Sequence, residues 1–232
     1  ESYREKYKII KHQRDVAKLD DITSIEKYKL EPNSMQVGFI KNLRKIQEAG
    51  ERKALLISAT GTGKTYASAF AMRELGFQRV LFLVHRNQIA KQAKKSFRKV
   101  FSGQVSMGLV TGKYQEYDKD FIFATIQTLS KGENLQRYEK NAFDAIVIDE
   151  AHHSAANSYK KVLDYFEPKL WLGMTATPDK RDDNLEGRNI YEIFNHQIAY
   201  EIRLQDAMEE DLLCTFHYFG ITDLKVISDA GK

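Results

Sequence analysis

The sequence has very little cysteine and no long apolar run. Its single cysteine, Cys214, cannot form an internal disulfide. The longest uninterrupted run of aliphatic and aromatic residues, Val80–Val84, falls far short of the roughly 20 residues that a membrane-spanning helix needs. The first six residues, ESYREK, also lack the apolar stretch of a signal peptide. We therefore expect a cytoplasmic protein with no disulfide and no membrane partner and, since residue 1 is glutamate, a piece of a longer chain.

Proline is also scarce, and its positions agree with the boundaries of predicted elements. Three prolines occur among the 232 residues, at positions 32, 168 and 178, and each falls where an apolar run or an amphipathic stretch begins or ends. Apolar residues make up 42% of the chain, which is enough to form a core and excludes wholesale disorder. The length fits one large α/β domain or two small domains.

From residue 54 onward, short apolar runs alternate with helix-length amphipathic stretches. This alternation is typical of a mostly parallel sheet covered by helices on both faces, because strands buried on both sides are almost continuously apolar. The predicted strands are Ala54–Ser58, Val80–Val84, Val105–Val110, Phe121–Thr125, Ala145–Asp149, Leu170–Thr175 and Phe216–Ile221. The predicted helices are Met35–Ala49, Lys64–Leu75, Gln88–Phe101, Leu129–Tyr138 and Ala155–Phe166.

Charge is unevenly distributed along the chain. Residues 51–140 contain 16 basic and 7 acidic side chains, whereas residues 141–232 contain 9 basic and 17 acidic ones. Six basic residues and no acidic ones lie between Arg86 and Lys99. Such a cluster indicates a surface that faces a polyanion, although an ordinary solvated helix face explains the charge count equally well.

The strongest local signal is the loop Ser58–Thr65, SATGTGKT, between a predicted strand and a predicted helix. Glycines allow such a loop to curl so that successive backbone N–H groups point at phosphates, and the helix that follows adds its positive end. Lys64 is expected to reach the β- and γ-phosphates, and the Thr65 hydroxyl to bind Mg²⁺. The predicted phosphate-binding residues are Thr60, Gly61, Thr62, Gly63, Lys64 and Thr65.

A second signal follows the apolar run Ala145–Ile148, where the sequence reads Asp-Glu-Ala-His. A carboxylate at the carboxyl end of a parallel strand lies at the edge of the sheet where ligands bind. Asp149 is therefore expected to hold Mg²⁺, and Glu150 to orient or deprotonate the attacking water. A zinc site at His152 is the alternative, but no cysteine lies nearby in the sequence.

A third signal, Thr175-Ala176-Thr177-Pro178, ends another predicted strand. In this order, the three motifs resemble motifs I, II and III of superfamily 2 helicases and translocases. Val84-His85-Arg86, Thr125–Leu129, the extension of Asp-Glu-Ala-His to His-Ser with Tyr159 after it, and Leu172–Pro178 are similar to the DEAD/DEAH-box ATPases of the type III restriction-subunit family. The resemblance covers about residues 30–221.

The resemblance implies a RecA-like P-loop NTPase fold and assigns roles to further residues. The residues expected to face the nucleic-acid backbone are Arg86, Thr125 and Gln127, with helix capping and loop packing as the alternative. The residues expected to relay the state of the nucleotide are His152, Thr175 and Thr177. Gln36 corresponds to the adenine-reading glutamine of the family, although the local sequence departs from the usual pattern, and Asn33 or Ser34 as a helix cap is the competing interpretation.

A second RecA-like domain supplies arginine fingers in this family, and we find no Gln-x-x-Gly-Arg-x-x-Arg motif for it here. We expect residues 1–29 to form a helical extension, residues 30–221 the first RecA-like domain and residues 222–232 a linker to the second. The expected function is that of an ATP- and Mg²⁺-dependent motor acting on DNA, with a nuclease or modification subunit as a candidate partner. A nucleic-acid-binding module with a vestigial ATP site and an RNA helicase are the alternatives.

Overall fold

The computed structural model describes residues 30–153, 157–178, 189–210 and 212–213, which form one α/β unit around an eight-stranded sheet. The strand order is β4-β3-β5-β2-β6-β7-β1-β8, and every neighbouring pair is parallel except β3 and β4. The strands are β1 Lys53–Ser58, β2 Val80–Val84, β3 Met107–Thr111, β4 Tyr114–Gln115, β5 Phe121–Thr125, β6 Ala145–Asp149, β7 Leu170–Thr175 and β8 Ile198–Ile202.

Helices connect these strands and cover the sheet. They are α1 Ser34–Glu48, α2 Lys64–Glu74, α3 Asn87–Phe101, α4 Ile126–Leu129, α5 Gly132–Leu135, α6 Asn157–Tyr165, α7 Ile190–Ile193 and α8 Leu204–Glu209, with a 3₁₀ turn at Ala151–His153. The predicted mostly parallel α/β architecture is therefore confirmed. None of the helices in the described ranges is both long and apolar enough to span a bilayer.

The core has two halves because successive side chains of a strand point to opposite faces of the sheet. On one face, Leu56 and Phe82 pack with the buried sides of α1, α2 and α3. On the other face, Leu55 and Leu81 pack with Tyr159 and the residues around α4 to α7. The central strands are buried along almost their whole length, which explains why their sequences are almost continuously apolar.

The parallel register brings the carboxyl ends of the central strands to one edge of the sheet. Ile57 of β1 pairs with Thr175 of β7, and Asp149 of β6 pairs with Met174 of β7. Strand β7 thus separates β1 from β6, and two strand spacings of about 4.8 Å place their ends about 10 Å apart. The loop after β1 and the carboxylates after β6 consequently face one another across the end of β7.

Four element predictions need correction. Instead of the single helix expected at Leu129–Tyr138, the structure has α4, which ends at Leu129, and α5, and the two are separated at Ser130 and Lys131. Strand β3 begins two residues later than predicted, and the sequence analysis did not identify β4 or β8 as strands. Both lie at edges of the sheet and are partly exposed, so they lack the continuous apolar signal of the central strands.

Some predictions lie outside the described residues. These are the helical extension at residues 1–29, the strand Phe216–Ile221 and the linker at residues 222–232. The predicted start of the helix at Ala155 also lies outside them, and α6 is described from Asn157 onward.

Candidate nucleotide site

The loop between β1 and α2 has the backbone shape that phosphate binding requires. Gly61 and Gly63 have φ angles of +94° and +90°, a region that residues with a Cβ rarely adopt. Gly63 is the N-cap of α2 and provides no capping side chain, so the first N–H groups of the helix are not satisfied by a cap. These donors and the positive end of the helix dipole form a ready binding site for an anion.

The inner side of the loop is held by hydroxyl groups. Thr62 is 3% exposed, and its Oγ1 atom donates to the backbone oxygen of Ala59 at 2.8 Å and contacts the hydroxyl of Ser58. Thr62 therefore shapes the loop through its side chain. Thr60 is exposed, and Thr65 is half-buried at the start of α2, with no hydrogen bond from its hydroxyl to the described residues. Thr65 can therefore supply an oxygen ligand to a cation.

Lys64 lies in the same cleft as the acidic residues after β6. Its ammonium donates to the backbone oxygens of Ser58 at 2.9 Å and Ala59 at 3.2 Å. Burial lowers the pKa of Lys64, and the nearby carboxylates of Asp149 and Glu150 partly offset this effect. The loop and the acidic pair are thus close enough to interact electrostatically, although 84 residues separate Lys64 from Asp149 in the sequence.

Burial, together with the nearby charge of Glu150 and partly offset by that of Lys64, raises the pKa of Asp149 to about 6. A buried carboxylate beside a second acid favours a bound cation, which replaces lost hydration and neutralises the repulsion. Asp149 and the hydroxyl of Thr65 are oxygen donors of the kind Mg²⁺ prefers, and Mg²⁺ sites with nucleotides commonly use only one or two protein groups. Among the described residues, no cluster of three or more His, Cys, Asp or Glu side chains could hold a metal ion.

Glu150 occupies a strained position directly after the strand. Its φ angle is +54°, a conformation that costs a non-glycine residue about 1–3 kcal/mol. Its N–H donates to Oδ1 of Asp149 at 3.1 Å. The turn directs the Glu150 carboxylate toward His152, with 3.3 Å between Oε2 and Nδ1.

His152 also connects the acidic turn to β7. Its Nδ1 atom lies 3.1 Å from Oγ1 of Thr175, and the same oxygen accepts the N–H of Thr177 at 3.1 Å. The contact with Glu150 is a hydrogen bond only when Nδ1 carries the proton, because a carboxylate only accepts. The three residues predicted to relay the nucleotide state therefore form one continuous contact chain, with Thr175 fully buried and Thr177 exposed.

Gln36 caps its own helix and lies near the phosphate-binding loop. Asn33 is the N-cap of α1, and Gln36 completes a capping box in which its Oε1 accepts the N–H of Asn33 at 3.1 Å. Its Nε2 atom points toward the backbone oxygen of Gly63 at 3.5 Å, too long for a strong hydrogen bond. Gln36 caps its helix and at the same time lies against the phosphate-binding loop.

The three nucleic-acid candidates are close together, but they are not equally accessible. Val84 of β2 pairs with Thr125 of β5, so Arg86 and Gln127 each follow this registered pair by two residues. Both are exposed, and Nε2 of Gln127 lies 3.0 Å from Nδ1 of His85. Thr125, in contrast, is 6% exposed, and its hydroxyl donates to Oγ1 of Thr128 at 2.9 Å. It fits a packing role in the motif better than a direct contact.

One feature of the site was not predicted from the sequence. Tyr159 is 2% exposed, and its hydroxyl has no hydrogen-bond partner in the described part of the chain. Burial raises the pKa of this phenol, and the charges of Asp149 and Glu150 raise it further, so the hydroxyl lies near the acidic turn. The sequence offered only a resemblance around Tyr159, because burial depends on how α6 packs under β6.

Comparisons with known proteins identify the family of this chain. A family model described as the type III restriction enzyme, res subunit, matches residues 29–180. A Saccharomyces cerevisiae protein named as an ATP-dependent helicase, IRC3, is 30% identical over 197 residues, or 78% of this chain and 27% of the relative. The Escherichia coli type I restriction enzyme EcoAI endonuclease subunit is 32% identical over 159 residues, or 63% of this chain and 19% of the subunit.

Solved structures show the same fold. The type ISP restriction-modification enzyme LlaGI, as a nuclease-deletion mutant with a DNA substrate mimic, superimposes with a TM-score of 0.61 at 19% identity, covering 79% of this chain and 21% of that enzyme. The Pyrococcus furiosus Hef helicase domain superimposes with a TM-score of 0.55 at 22% identity, covering 68% of this chain and 36% of that domain. The RecA-like fold prediction is thereby confirmed. The chain spans about a quarter or less of the length of the two curated relatives.

Proposed function

The chain belongs to the family of the type III restriction enzyme res subunit, and from this premise we propose that it is the ATP-binding motor domain of a DNA helicase or translocase. The observation that carries the proposal is the placement of Lys64 and Asp149 at one edge of the sheet, close enough for the charge of each to shift the pKa of the other. A tight turn that merely connected β1 to α2 would not require a half-buried ammonium near two carboxylates.

The residues of the cleft fit the parts of a phosphoryl-transfer site. The N–H groups around Gly61 and Gly63 hold the phosphates, and Lys64 turns from the loop carbonyls to the β- and γ-phosphates when the nucleotide binds. Thr65 and Asp149 hold Mg²⁺, which when bound neutralises charge on the phosphate oxygens. Glu150 accepts a proton from the attacking water, and Gln36 lies where the base of ATP would extend from the loop.

The contacts from Glu150 through His152 to Thr175 and Thr177 provide the coupling between the nucleotide site and the loop after β7. The position of the Glu150 carboxylate determines whether His152 Nδ1 shares its proton with it. A nucleotide that draws Glu150 toward the γ-phosphate changes this sharing, and with it the contact to the exposed loop at Thr177. The coupling therefore runs through named hydrogen bonds across two neighbouring strands.

DNA is the proposed polymer. Arg86 and Gln127 are exposed at the same edge of the sheet as the nucleotide cleft, and cationic and amide side chains of this kind contact phosphates. One of the structures with this fold contains a DNA substrate mimic, and the EcoAI relative is named a restriction endonuclease subunit, which favours DNA over RNA and makes a nuclease or modification subunit a reasonable partner. We expect a second RecA-like domain to supply the cationic groups that complete hydrolysis.

A titration with a fluorescent ATP analogue in the presence of Mg²⁺ tests the nucleotide site. Wild-type chain should bind the analogue, and Lys64→Ala should weaken binding at least about tenfold, the effect of losing about 1.4 kcal/mol. Lys53→Ala, at the opposite end of β1, is the matched control and should bind as wild type does. Equal affinity of wild type and Lys64→Ala would contradict the proposal and favour a module with a vestigial site.

A second experiment tests the polymer. In the complete protein, duplex DNA should stimulate ATP hydrolysis more than duplex RNA of the same sequence and length, and Arg86→Ala should reduce this stimulation. The isolated chain should hydrolyse ATP poorly, because an arginine finger contributes about 10³ to 10⁵ in rate where it has been measured. Stronger stimulation by RNA would favour an RNA helicase.

A further inference from the structure

Helix α3 has two sharply different faces. Its buried face contains Ala90, Ala93, Phe97, Val100 and Phe101, which pack on the sheet. The other face carries five cations at helical spacing, namely Lys91, Lys94, Lys95, Arg98 and Lys99, and the helix contains no acidic residue. At 1.5 Å per residue, the stripe from Lys91 to Lys99 extends about 12 Å along the helix.

The cations line an open groove instead of projecting from a convex surface. The groove has a volume of about 600 Å³, and Leu109 of β3 lies on its other side. Strands β3 and β4 form an antiparallel pair next to the helix, so the groove runs between α3 and the β3–β4 hairpin. We call this surface the basic groove.

Contacts with the hairpin hold the groove in shape. The Lys91 ammonium lies 4.7 Å from the centre of the Tyr114 ring and donates to its hydroxyl at 3.1 Å. Glu116 pairs with Lys94 at 3.1 Å and also accepts the N–H of Leu109 at 2.8 Å. Two side chains of the helix are therefore fixed to the hairpin by direct contacts.

The remaining cations of the stripe are not neutralised. Within the described residues, no ion pair joins Lys95, Arg98 or Lys99 to a carboxylate, and all three are exposed. Glu116 is the one carboxylate that contacts the stripe there, and Lys119 lies close enough to lower its pKa. An ordinary solvated helix face usually interleaves both signs of charge, whereas this groove keeps an excess of positive charge in a concave surface.

We propose that the basic groove binds the sugar–phosphate backbone of a nucleic acid, as a second contact beyond the edge that carries Arg86 and Gln127. This proposal rests on the proposed function as a nucleic-acid motor domain. Duplex DNA has one phosphate per 3.4 Å along each strand, so a stripe of about 12 Å faces three or four phosphates of one strand. The exposed ring of Tyr114 lies beside Lys91 and offers an apolar surface to a sugar.

The stripe begins near the edge where Arg86 lies and runs away from it. Arg86 is the N-cap of α3, and the helix continues from there for 15 residues. A nucleic acid that contacts Arg86 and then follows the groove leaves the domain alongside α3 and the hairpin. The groove would therefore lengthen the bound segment without reading bases, because phosphate contacts position a strand but do not specify its sequence.

The experiment compares two triple variants of the complete protein that remove the same charge. Lys95→Gln, Arg98→Gln and Lys99→Gln together alter the groove, whereas Lys41→Gln, Arg44→Gln and Lys45→Gln together alter the exposed face of α1. Fluorescence anisotropy measures the affinity for labelled duplex DNA and duplex RNA over a range of salt concentrations. Each phosphate contact contributes about 0.9 to the slope of log K against log salt.

The groove variant should lower DNA affinity at least about tenfold and reduce the salt slope by about 2 to 3, whereas the α1 variant should change the slope by less than about 1. Circular dichroism checks that both variants unfold at the wild-type temperature. If the triple groove variant does not fold, Lys99→Glu alone should still weaken binding. A larger loss with RNA than with DNA would support the groove and identify RNA as its polymer.

Unchanged affinity and slope in the groove variant would overturn the proposal. If Arg86→Ala then still reduces DNA-stimulated ATP hydrolysis, the proposed function stands and only the groove fails. If wild-type protein shows no stimulation by either duplex, the proposed function fails. Groove-dependent binding of poly-glutamate, with the DNA slope unaffected, would also overturn the proposal in favour of an acidic protein partner.

Discussion

Helices α2 and α3 both begin at the same edge of the sheet and pack against each other, yet their burial patterns differ. Six successive residues of α2, from Ala67 to Met72, are buried, so the helix is enclosed on all sides. Helix α3 buries one stripe and exposes the other. The enclosed helix holds a phosphate-binding loop in a fixed position, whereas the half-exposed helix offers a charged surface. Burial pattern, more than helix propensity, separates the proposed nucleotide site from the proposed nucleic-acid-binding surface in this domain.

The largest expected effect is on the free energy of unfolding, and it concerns the buried face of α3. Phe97 is fully buried, and its ring centre lies 5.1 to 6.3 Å from the ring centres of four other aromatic residues, Phe82, Phe101, Phe121 and Phe123. Phe97→Ala should lower the free energy of unfolding by about 3–5 kcal/mol in urea denaturation. Arg98→Ala, one position further on the exposed stripe, should change it by less than about 0.5 kcal/mol. Similar losses in both variants would mean that α3 is not divided into two faces.

The start of α2 should be equally sensitive, but in nucleotide binding. Gly63→Ala places a Cβ on a residue with φ near +90°, and that Cβ would lie 3.1 Å from Nε2 of Gln36. We expect affinity for the ATP analogue to fall at least about tenfold and stability to fall by about 1–3 kcal/mol. The matched change at the start of α3, Arg86→Ala, should leave ATP affinity within about twofold. A Gly63→Ala chain that binds ATP normally would show that the left-handed turn is not needed.

The interior of α2 should tolerate added volume poorly. Ala69 is fully buried, so Ala69→Leu should cost about 1–3 kcal/mol through overpacking. Gln92→Leu adds a leucine to the exposed face of α3 and should change stability by less than about 0.5 kcal/mol. Thermal unfolding of both variants measures the difference. Equal stability of the two would contradict the conclusion that α2 is enclosed.

The smallest expected effect is at the edge of the basic groove. The N–H of Leu109 and the ammonium of Lys94 lower the pKa of Glu116. Because the folded pKa lies below the unfolded one, the stabilisation is present above the unfolded value of about 4.3 and is lost as pH falls through the folded value. Glu116→Gln should therefore reduce stability by less than about 1 kcal/mol at pH 7 and by nothing near pH 2. A difference between the two proteins that persists at pH 2 would show that charge is not the cause.

Much of the fold was predictable because the central strands are buried on both faces. The bounds of β2, β5, β6 and β7 agree with the prediction residue for residue, because short and almost continuously apolar runs predict buried strands. The prediction of secondary structure failed where packing against the sheet, and not the local sequence, determines where a helix begins and ends. A single helix was predicted from Leu129 onward, but α4 ends at Leu129 and the next helix, α5, covers only Gly132–Leu135.

In the candidate site, too, some features were predictable from the sequence and others depend on tertiary packing. The proximity of Lys64 to Asp149 and Glu150 was predictable because Lys64 begins the helix that follows β1, whereas Asp149 and Glu150 lie at the carboxyl end of β6. That Gln36 caps α1 while it contacts the loop was left open, because the two interpretations could not be separated without the distance to Gly63. The burial of Thr125 and the unpaired hydroxyl of Tyr159 were not predictable, since neither follows from neighbouring letters.

The sequence by itself determined the central strands, the glycine turn before α2 and the carboxylates after β6, because local periodicity and backbone geometry depend on short segments. The tertiary structure alone decided that β7 lies between β1 and β6, which brings Lys64 within reach of Asp149. It also decided that the cations of α3 line a groove instead of facing open water. Strand order and the closing of a helix against a hairpin depend on packing across the whole sheet, and no short segment encodes them.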